Sequence, residues 1–587
     1  MSGRIGTGGV IAGSLLAITS GAVVHVQGQS DHGGAAAGAK VVGPICNSEP
    51  VRTSGPLAFP TAEGFGRFAR GGRGGAVFAV TTLADHGPGS LRACAEASGP
   101  RTCVFRTSGT IAVDTWINVQ NPYLTIAGQT SPGGIAIRLG NSTNTPLLIQ
   151  THDVVIRHLR IRPGRSEQRS ENVDTVQISG GAHDVILDHV STSWPTDEGI
   201  NIVGDGHLQR PCMDTRNITV QWSILSEGLN RANRGPHSRG TYFGYGARDI
   251  TFSHNLIANN YRRNPLLNTR GQFDMINNVI FNSQRYNAEL YTRFGDLFVN
   301  AIGNVAVRGP SAEGRLQLYM FNYFRDNPAR FAIFLKDNLD WRRAGDVGDD
   351  RLALDPANWS YVAKAPVGRL SIPAQRISAP AQAYRDIVTS VGANLPYDAA
   401  DRRLLADMMR CKGAIIDDPS QVGGWPMLEG GEPPADQDGD GIPDAWELAN
   451  NLSPSDPEDG RKIAGEQGYT NLELYLNALA DLGRATSGSE ARLPDLACGL
   501  PTPRPGPSPV VRISAQPAVV ASGAPVTLSW QGEYLDACKL DSSLALPSGS
   551  LTVWPRRSRT YMIHCTGIDG GDAIDSVAVT AEAAKKP

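Results

Sequence analysis

The sequence predicts an all-β chain dominated by a right-handed parallel β-helix, a solenoid, and three observations lead there. Short apolar runs recur from about Phe59 to about Asp340 at intervals of roughly 24 to 34 residues, the period range of solenoids, propellers and arrays. Each run has one rhythm: apolar residues alternating on one face, an Asn or His, then another apolar pair. Glycine and proline are abundant, 66 and 39 of 587 residues, while charged residues reach only 19%, which favours short strands separated by many turns. A propeller would repeat on a similar scale, but its blades need four strands and these repeats hold two or three short runs.

Taken in order, residues 1–28 read as a secretory signal: one Arg, an apolar stretch from Val10 to Val24, then a polar Gly-rich segment. The stretch is too short and too rich in small residues for a membrane anchor. Residues 29–57 are a low-complexity segment. The solenoid with its C-terminal extension is expected over 58–430, with runs such as LTIAG from Leu124, DVVIRHLRIR from Asp153, DVILDHVSTSW from Asp184, NITVQWSIL from Asn217 and DITFSHNLIA from Asp249. Asn255, Asn278 and Asn304 hold similar places in successive runs, as if stacked in a column where each amide bonds the turns above and below. Eight cysteines, an even number, fit an oxidising compartment. Cys94 with Cys103 and Cys538 with Cys565 are the expected pairs, and Cys46, Cys212, Cys411 and Cys498 stay open. No CxxC is present, which argues against zinc. A net charge of −3 argues against nucleic acid as a partner; the expectation is an exported monomer with no membrane insertion after signal removal.

A small calcium-binding segment is expected over 431–498. There Asp436, Asp438, Asp440, Gly441, Ile442, Asp444 and Glu447 occupy loop positions 1, 3, 5, 6, 7, 9 and 12 of the EF-hand pattern, Ile442 through its main-chain carbonyl. Alternating carboxylates repel one another unless a hard cation sits among them. Such a single loop is expected to act as a structural clamp. A Pro-rich extended linker spans 499–509. After it, 510–587 alternates with period two around a Cys pair and Trp530, the pattern of a small immunoglobulin-like β-sandwich, from which no function can be read.

The stretches AFPTAEGFGRFARGGRGGAVFAVTTLADHGPGSLRAC, LTIAGQTSPGGIAIR, VVIRHLRIRPG, DVILDHVSTSWPTDE, HSRGTYFGYG and RRNPLL, spanning about Ala58 to Asn282, resemble polysaccharide lyase family one, the pectate lyases, in particular members with an EF-hand after the β-helix. The resemblance implies Ca2+-assisted β-elimination on α-1,4-linked polygalacturonate: a base takes the C5 proton, α to the carboxylate, and the C4 oxygen leaves. It also implies cations around the substrate carboxylate, where charge develops. Arg263, in Arg263-Asn264-Pro265, matches the family's catalytic arginine, and Arg239 in HSRGTYFG aligns with its substrate-contacting lysine. His237, Arg262, Asn268 and Arg270 are expected to bind substrate; Asn268 stands where the family carries a second arginine, so Arg270 or Arg262 is expected to substitute. The calcium set implied by the family maps to Asn172, Asp174, Asp197, Glu198 and Asn201, with amides at two positions that usually hold carboxylates. Asp188-His189 reads equally as a structural pair inside the solenoid or as catalytic, and is not counted among the site residues. On an extended strand Arg262 and Arg263 would point to opposite faces, so only one of them is expected to be the base.

Two other readings remain open from sequence: a lyase or hydrolase for another uronate polymer on the same scaffold, and a non-catalytic carbohydrate-binding or adhesion protein. The joint presence of Arg263, Pro265, Asp174 and Asp197 disfavours the second, because binding alone does not require that set.

Overall fold

The structure is a computed structural model that describes residues 52–587 except 166–171, 207–213, 233–234, 314–316, 323–328, 341–348, 486–497, 499–509, 534, 542, 546–547, 568–571 and 583–587. The expected signal segment 1–28, residues 29–51 of the expected low-complexity segment, the expected linker 499–509, and Cys46 and Cys212 lie outside the described residues.

Three parallel sheets carry the chain from Ala76 to Ala363, the first with eleven strands and the others with eight each. One turn shows the pattern: His183–Asp188 joins the first sheet, Ser191–Ser193 the second and Ile200–Val203 the third, and Arg216–Gln221 then opens the next turn beside His183–Asp188. This is the architecture of a parallel β-helix. The sequence period is its register made visible. Leu124, Val154, Val185, Ile218, Ile250, Phe273, Val299 and Ile333 form one aligned column in the first sheet, every member buried. Side chains alternate across a strand, so a one-residue slip would turn the whole column outward; each fully buried member contributes roughly 1.5–3 kcal/mol.

The Asn column is present and is longer than the sequence showed. Asn278 Oδ1 accepts from the backbone N–H (2.9 Å) and side-chain amide (3.0 Å) of Asn255. Asn304 Oδ1 does the same for Asn278 at 2.9 Å each, and Asn338 Oδ1 for Asn304 at 3.2 and 3.0 Å. All four are fully buried, and each polar edge finds a partner one turn away.

The corner between the first and second sheets uses a left-handed residue in five successive turns, His158, His189, Trp222, His254 and Asn277, with φ between 51° and 55°. A non-glycine residue there carries a backbone cost of about 1–2 kcal/mol, offset by ring stacking at 4.9, 5.9 and 4.5 Å along the first four. Burial pushes the His158 imidazole well below its ordinary value. Asp188 is held here by Arg157 at 2.9 Å and Gln221 at 2.8 Å, so Asp188-His189 belongs to the corner stack and not to the third sheet.

At the N-terminal end the helix Leu91–Ala95 contributes Leu91, Cys94 and Ala95 to the solenoid core, and Cys94 is disulfide-bonded to Cys103 as expected. Arg101, fully buried, donates to the carbonyls of Cys94, Ala95, Gly99, Asn121 and Pro122. On the second sheet, the helices Pro380–Ser390 and Ala399–Met409 cover Ile224, Leu256, Val279, Phe281 and Val305 with Tyr384, Ile387, Leu404, Leu405 and Met408. A buried ion network fastens the second helix: Arg162 to Asp401 at 2.7 Å, Arg160 to Asp398 at 3.1 Å, and Arg162 also to Asp398. The Cys411–Cys498 disulfide, left open by the sequence, closes this region.

The segment around Asp436 docks through Ile442, which packs with Ala127 of the first sheet and with Leu472, Tyr475 and Leu476 of the helix Asn471–Ala485. The C-terminal region is two sheets, of three and five strands, enclosing Trp530 and the Cys538–Cys565 disulfide. That bond joins two adjacent strands of one sheet instead of bridging the sheets. No helix among the described residues is long and apolar enough to cross a membrane.

Candidate active site and metal centres

The third sheet presents two rows of side chains. The inward row, Ile178, Ile202, Phe243, Leu267 and Leu290, belongs to the core. The outward row runs Gln177, Asn201, Tyr242, Leu266, Glu289 on adjacent strands. Loops entering these strands at 172–175, 196–199, 237–241 and 261–265 carry most of the residues singled out in the sequence, so four turns of the coil converge on one outer patch.

Asp174, Asp197 and Glu198 meet there, each offering an oxygen within 4.8 Å of the others. Asp174 accepts from the Glu198 backbone N–H at 3.0 Å and from Asn201 Nδ2 at 2.8 Å. Burial, reinforced by Asp197, holds its carboxyl well above the ordinary range. Asp197 faces Arg239 Nε at 3.3 Å and His237 Nε2 at 3.7 Å, while His237 Nδ1 lies 2.7 Å from the Thr196 carbonyl. Glu198 is ion-paired with Arg263. Asn201 leaves its buried Oδ1 without a hydrogen-bond partner. Three converging carboxylates and an unpartnered amide oxygen form an oxygen-only donor set that suits a hard cation. Asn172 is exposed.

Arg262 and Arg263 do not alternate as on an extended strand. Arg263 has φ +61°, and Arg262 makes only an isolated bridge to Arg239, so the left-handed residue breaks the alternation. What separates them is Glu289, a fully buried residue the sequence did not single out. Its Oε1 accepts from Arg262 Nε at 3.1 Å and from the Arg263 backbone N–H at 3.0 Å, its Oε2 pairs with Arg262 Nη2, and Tyr291 donates to Oε2 at 3.1 Å. Burial would lower the Arg262 pKa, but the Glu289 bonds outweigh it and hold the proton more tightly than usual. For Arg263 burial wins over the pull of Asp197, Glu289 and Asp174, and its pKa falls below the ordinary guanidinium value. The Arg263 guanidinium also lies over the Tyr242 ring, 5.3 Å from its centroid. Burial lowers Arg239 as well.

Asn268 is tied to the Tyr242 hydroxyl at 3.3 Å. Arg270 is engaged by Asp214 at 2.7 Å, a carboxylate it shares with Arg248. Its place at the start of the strand Arg270–Ile276 puts it on the first sheet.

The second acidic group lies at 436–447. Asp436, Asp438 and Asp440 converge, and Asp440 also meets Glu447 and Asp459, a residue outside the loop that the spacing did not reveal. Burial first, then neighbouring carboxylates, push Asp440 up to about 6 and Glu447 up to about 7. Asp444 accepts from the Gln437 backbone N–H at 2.8 Å, which places its carboxylate on the loop's own turn.

No family model matches the chain. Among curated proteins it is 33% identical over 449 residues to a probable pectate lyase C of Emericella nidulans, covering 76% of this chain and 97% of that one. It is 34% identical over 430 residues to a probable pectate lyase C of Aspergillus fumigatus, covering 72% and 94%, and 32% identical over 439 residues to that of Aspergillus terreus, covering 74% and 96%. Among solved structures it matches the major allergen from cedar pollen at 17% identity, 56% of this chain and 92% of that one, with a TM-score of 0.40, too loose a likeness to inform the reading.

Proposed function

Because the chain belongs to the pectate lyases and is a polysaccharide lyase, we propose that it cleaves α-1,4-linked polygalacturonate outside the cell by calcium-assisted β-elimination with Arg263 as the base. The observation that carries this reading is the different placing of the two neighbouring arginines: Arg262 is paired with the buried Glu289, while Arg263, paired with Glu198, lies against the Asp174–Asp197–Glu198 group, where burial lowers its pKa from the ordinary guanidinium value. A base must be able to lose its proton near the operating pH, and Arg263 is the better candidate of the pair.

In this reading neutral Arg263 takes the C5 proton, the electron pair forms the C4–C5 double bond, the C4–O bond breaks, and the leaving oxygen takes a proton from water as it departs with its sugar chain. Arg239 and Arg262 supply fixed positive charge to the uronate carboxylates. Asp174, Asp197, Glu198 and the Asn201 amide oxygen are the residues that would hold Ca2+. When bound, the ion supplies positive charge beside the substrate carboxylate, where the second negative charge develops. His237 orients Asp197, and Asn268 anchors the Tyr242 hydroxyl beneath Arg263.

The 436–447 loop is read as a second, structural calcium site of EF-hand type, and the C-terminal sheets as an immunoglobulin-like module. Export is supported by three disulfides among the described residues. The deciding experiment is ultraviolet absorbance of the 4,5-unsaturated uronate product on polygalacturonate. Absence of that product under alkaline, calcium-supplied conditions would overturn the reading.

A further inference from the structure

We propose that Asp459 is a ligand of the cation bound by the 436–447 loop, so that one metal ion also closes the 453–461 segment over that loop. The inference rests on the reading of 436–447 as a calcium loop and deepens it: the twelve-residue pattern does not contain Asp459.

Three observations carry it. Asp440, Glu447 and Asp459 are 4%, 0% and 5% exposed and bring oxygens within 4.8 Å of one another. Both Glu447 oxygens, Asp440 Oδ2 and Asp459 Oδ1 are buried without a hydrogen-bond partner, and among the described residues none of the three has an ion pair. Burying one unpaired carboxylate is costly, and three sharing a site need a cation between them. The remaining oxygens of the two aspartates are already used: Asp440 Oδ1 accepts from the Ile442 N–H at 2.8 Å, and Asp459 Oδ2 from the Ser453 N–H at 2.8 Å. Each carboxylate is therefore fixed by one oxygen and turns the other, free one into the shared space.

Glycine at 460 belongs to the same construction. A Cβ there would collide with Asp440 Oδ2, so the backbone after Asp459 can lie directly on the loop's fifth-position carboxylate. The Asp459 carbonyl accepts from Asn471 Nδ2 at 2.8 Å, at the start of the helix whose Leu472, Tyr475 and Leu476 pack with Ile442 against the solenoid. One ion would thus join the loop, the 453–461 segment and, through Asn471, the helix that docks both. The donors are all oxygen, with no imidazole or thiolate, which selects Ca2+ over zinc, and an added carboxylate raises affinity through charge count.

The test is calcium titration calorimetry and thermal unfolding of the full chain, stripped with chelator, for wild type, Asp440→Ala, Asp459→Asn and Gly460→Ala. The binding event lost in Asp440→Ala identifies the loop site. Asp459→Asn, which keeps an acceptor for Ser453, is expected to weaken that same event by about tenfold or more. Its melting temperature should fall below wild type in calcium, yet equal or exceed wild type in chelator, where one repelling charge has gone. Gly460→Ala, with every carboxylate retained, should weaken the same event. If Asp459→Asn leaves intact the event that Asp440→Ala removes, or lowers the melting temperature equally with and without calcium, the role of Asp459 is overturned while the loop reading stands. If Asp440→Ala alters no binding event, the loop reading itself falls.

Discussion

Glu289 and Arg262 form a two-pronged ion pair, with Arg262 Nε 3.1 Å from Oε1 and Nη2 against Oε2, and the same Oε1 accepts the Arg263 backbone N–H at 3.0 Å. A single buried carboxylate thereby fixes the charge of one arginine and the backbone of the next. Arg262 and Arg263 are adjacent in sequence, but the Glu289 bonds raise the pKa of the first and burial lowers that of the second.

Arg263→Lys is expected to lower kcat by roughly 10²- to 10⁴-fold, the range associated with losing a positioned acid–base group, with KM little changed. Lysine keeps the charge but not the planar fork. Arg262→Lys should act mainly through KM or stability. Steady-state kinetics on polygalacturonate check both, and the reverse pattern would remove Arg263 from the role of base.

Glu289→Gln keeps the shape of the side chain but removes its charge, leaving Arg262 without its counter-ion. Hydrogen bonds to charged groups contribute about 1.5–3 kcal/mol, so denaturant unfolding should show a loss of that order. Turnover should fall further than stability accounts for, because the Arg263 backbone is no longer held. A variant with lowered stability and wild-type kcat would show that Glu289 serves the fold alone.

Acid should loosen the helix Ala399–Met409. Burial alone would raise the Asp398 carboxyl, but Arg162 and Arg160 outweigh it and bring it down from 3.8 to about 2. A depressed carboxylate contributes stability that is complete above its unfolded value and is lost as pH falls through the folded one, here about 2 kcal/mol between pH 4 and pH 2. The stability gap between wild type and Asp398→Asn, from urea midpoints, should therefore shrink by about that amount across this window. A gap that stays constant would mean the ion network is not what acid breaks.

Chelator should abolish product formation, and millimolar-range calcium should restore it, the regime expected of extracellular sites with few carboxylates. Asp174→Asn should raise the calcium concentration needed for half-maximal rate. Full activity after exhaustive chelation would overturn the calcium part of the mechanism and leave the assignment of Arg263 untouched.

The solenoid was legible because its information is periodic: a buried position repeats each turn, and Asn255, Asn278 and Asn304 announce their stacking by their spacing. Asn338 escaped notice because it follows Asn304 by 34 residues, after runs that no longer share the rhythm. Cys94–Cys103 could be read from a short loop, whereas Cys411–Cys498 spans 87 residues and needed the fold. Glu289 and Asp459 carry no local signal: an acidic residue within NAELY or PEDG looks like any surface carboxylate until its partners arrive from 26 residues away or from the neighbouring loop. The extended-strand premise behind the opposite-face expectation for Arg262 and Arg263 does not hold, because sequence gives no sign that Arg263 takes φ +61°.

The helix Leu91–Ala95 and the buried Arg101 have a consequence for solubility. A stack of parallel strands has no natural last member, and its terminal rung offers a template on which a second chain could continue the ladder, the first step toward a fibre. Here the rung is plugged by Leu91, Cys94 and Ala95, welded by Cys94–Cys103, and Arg101 occupies five carbonyl oxygens at that end. The stopper that completes the core also leaves no open apolar face at that end for a second copy to stack on.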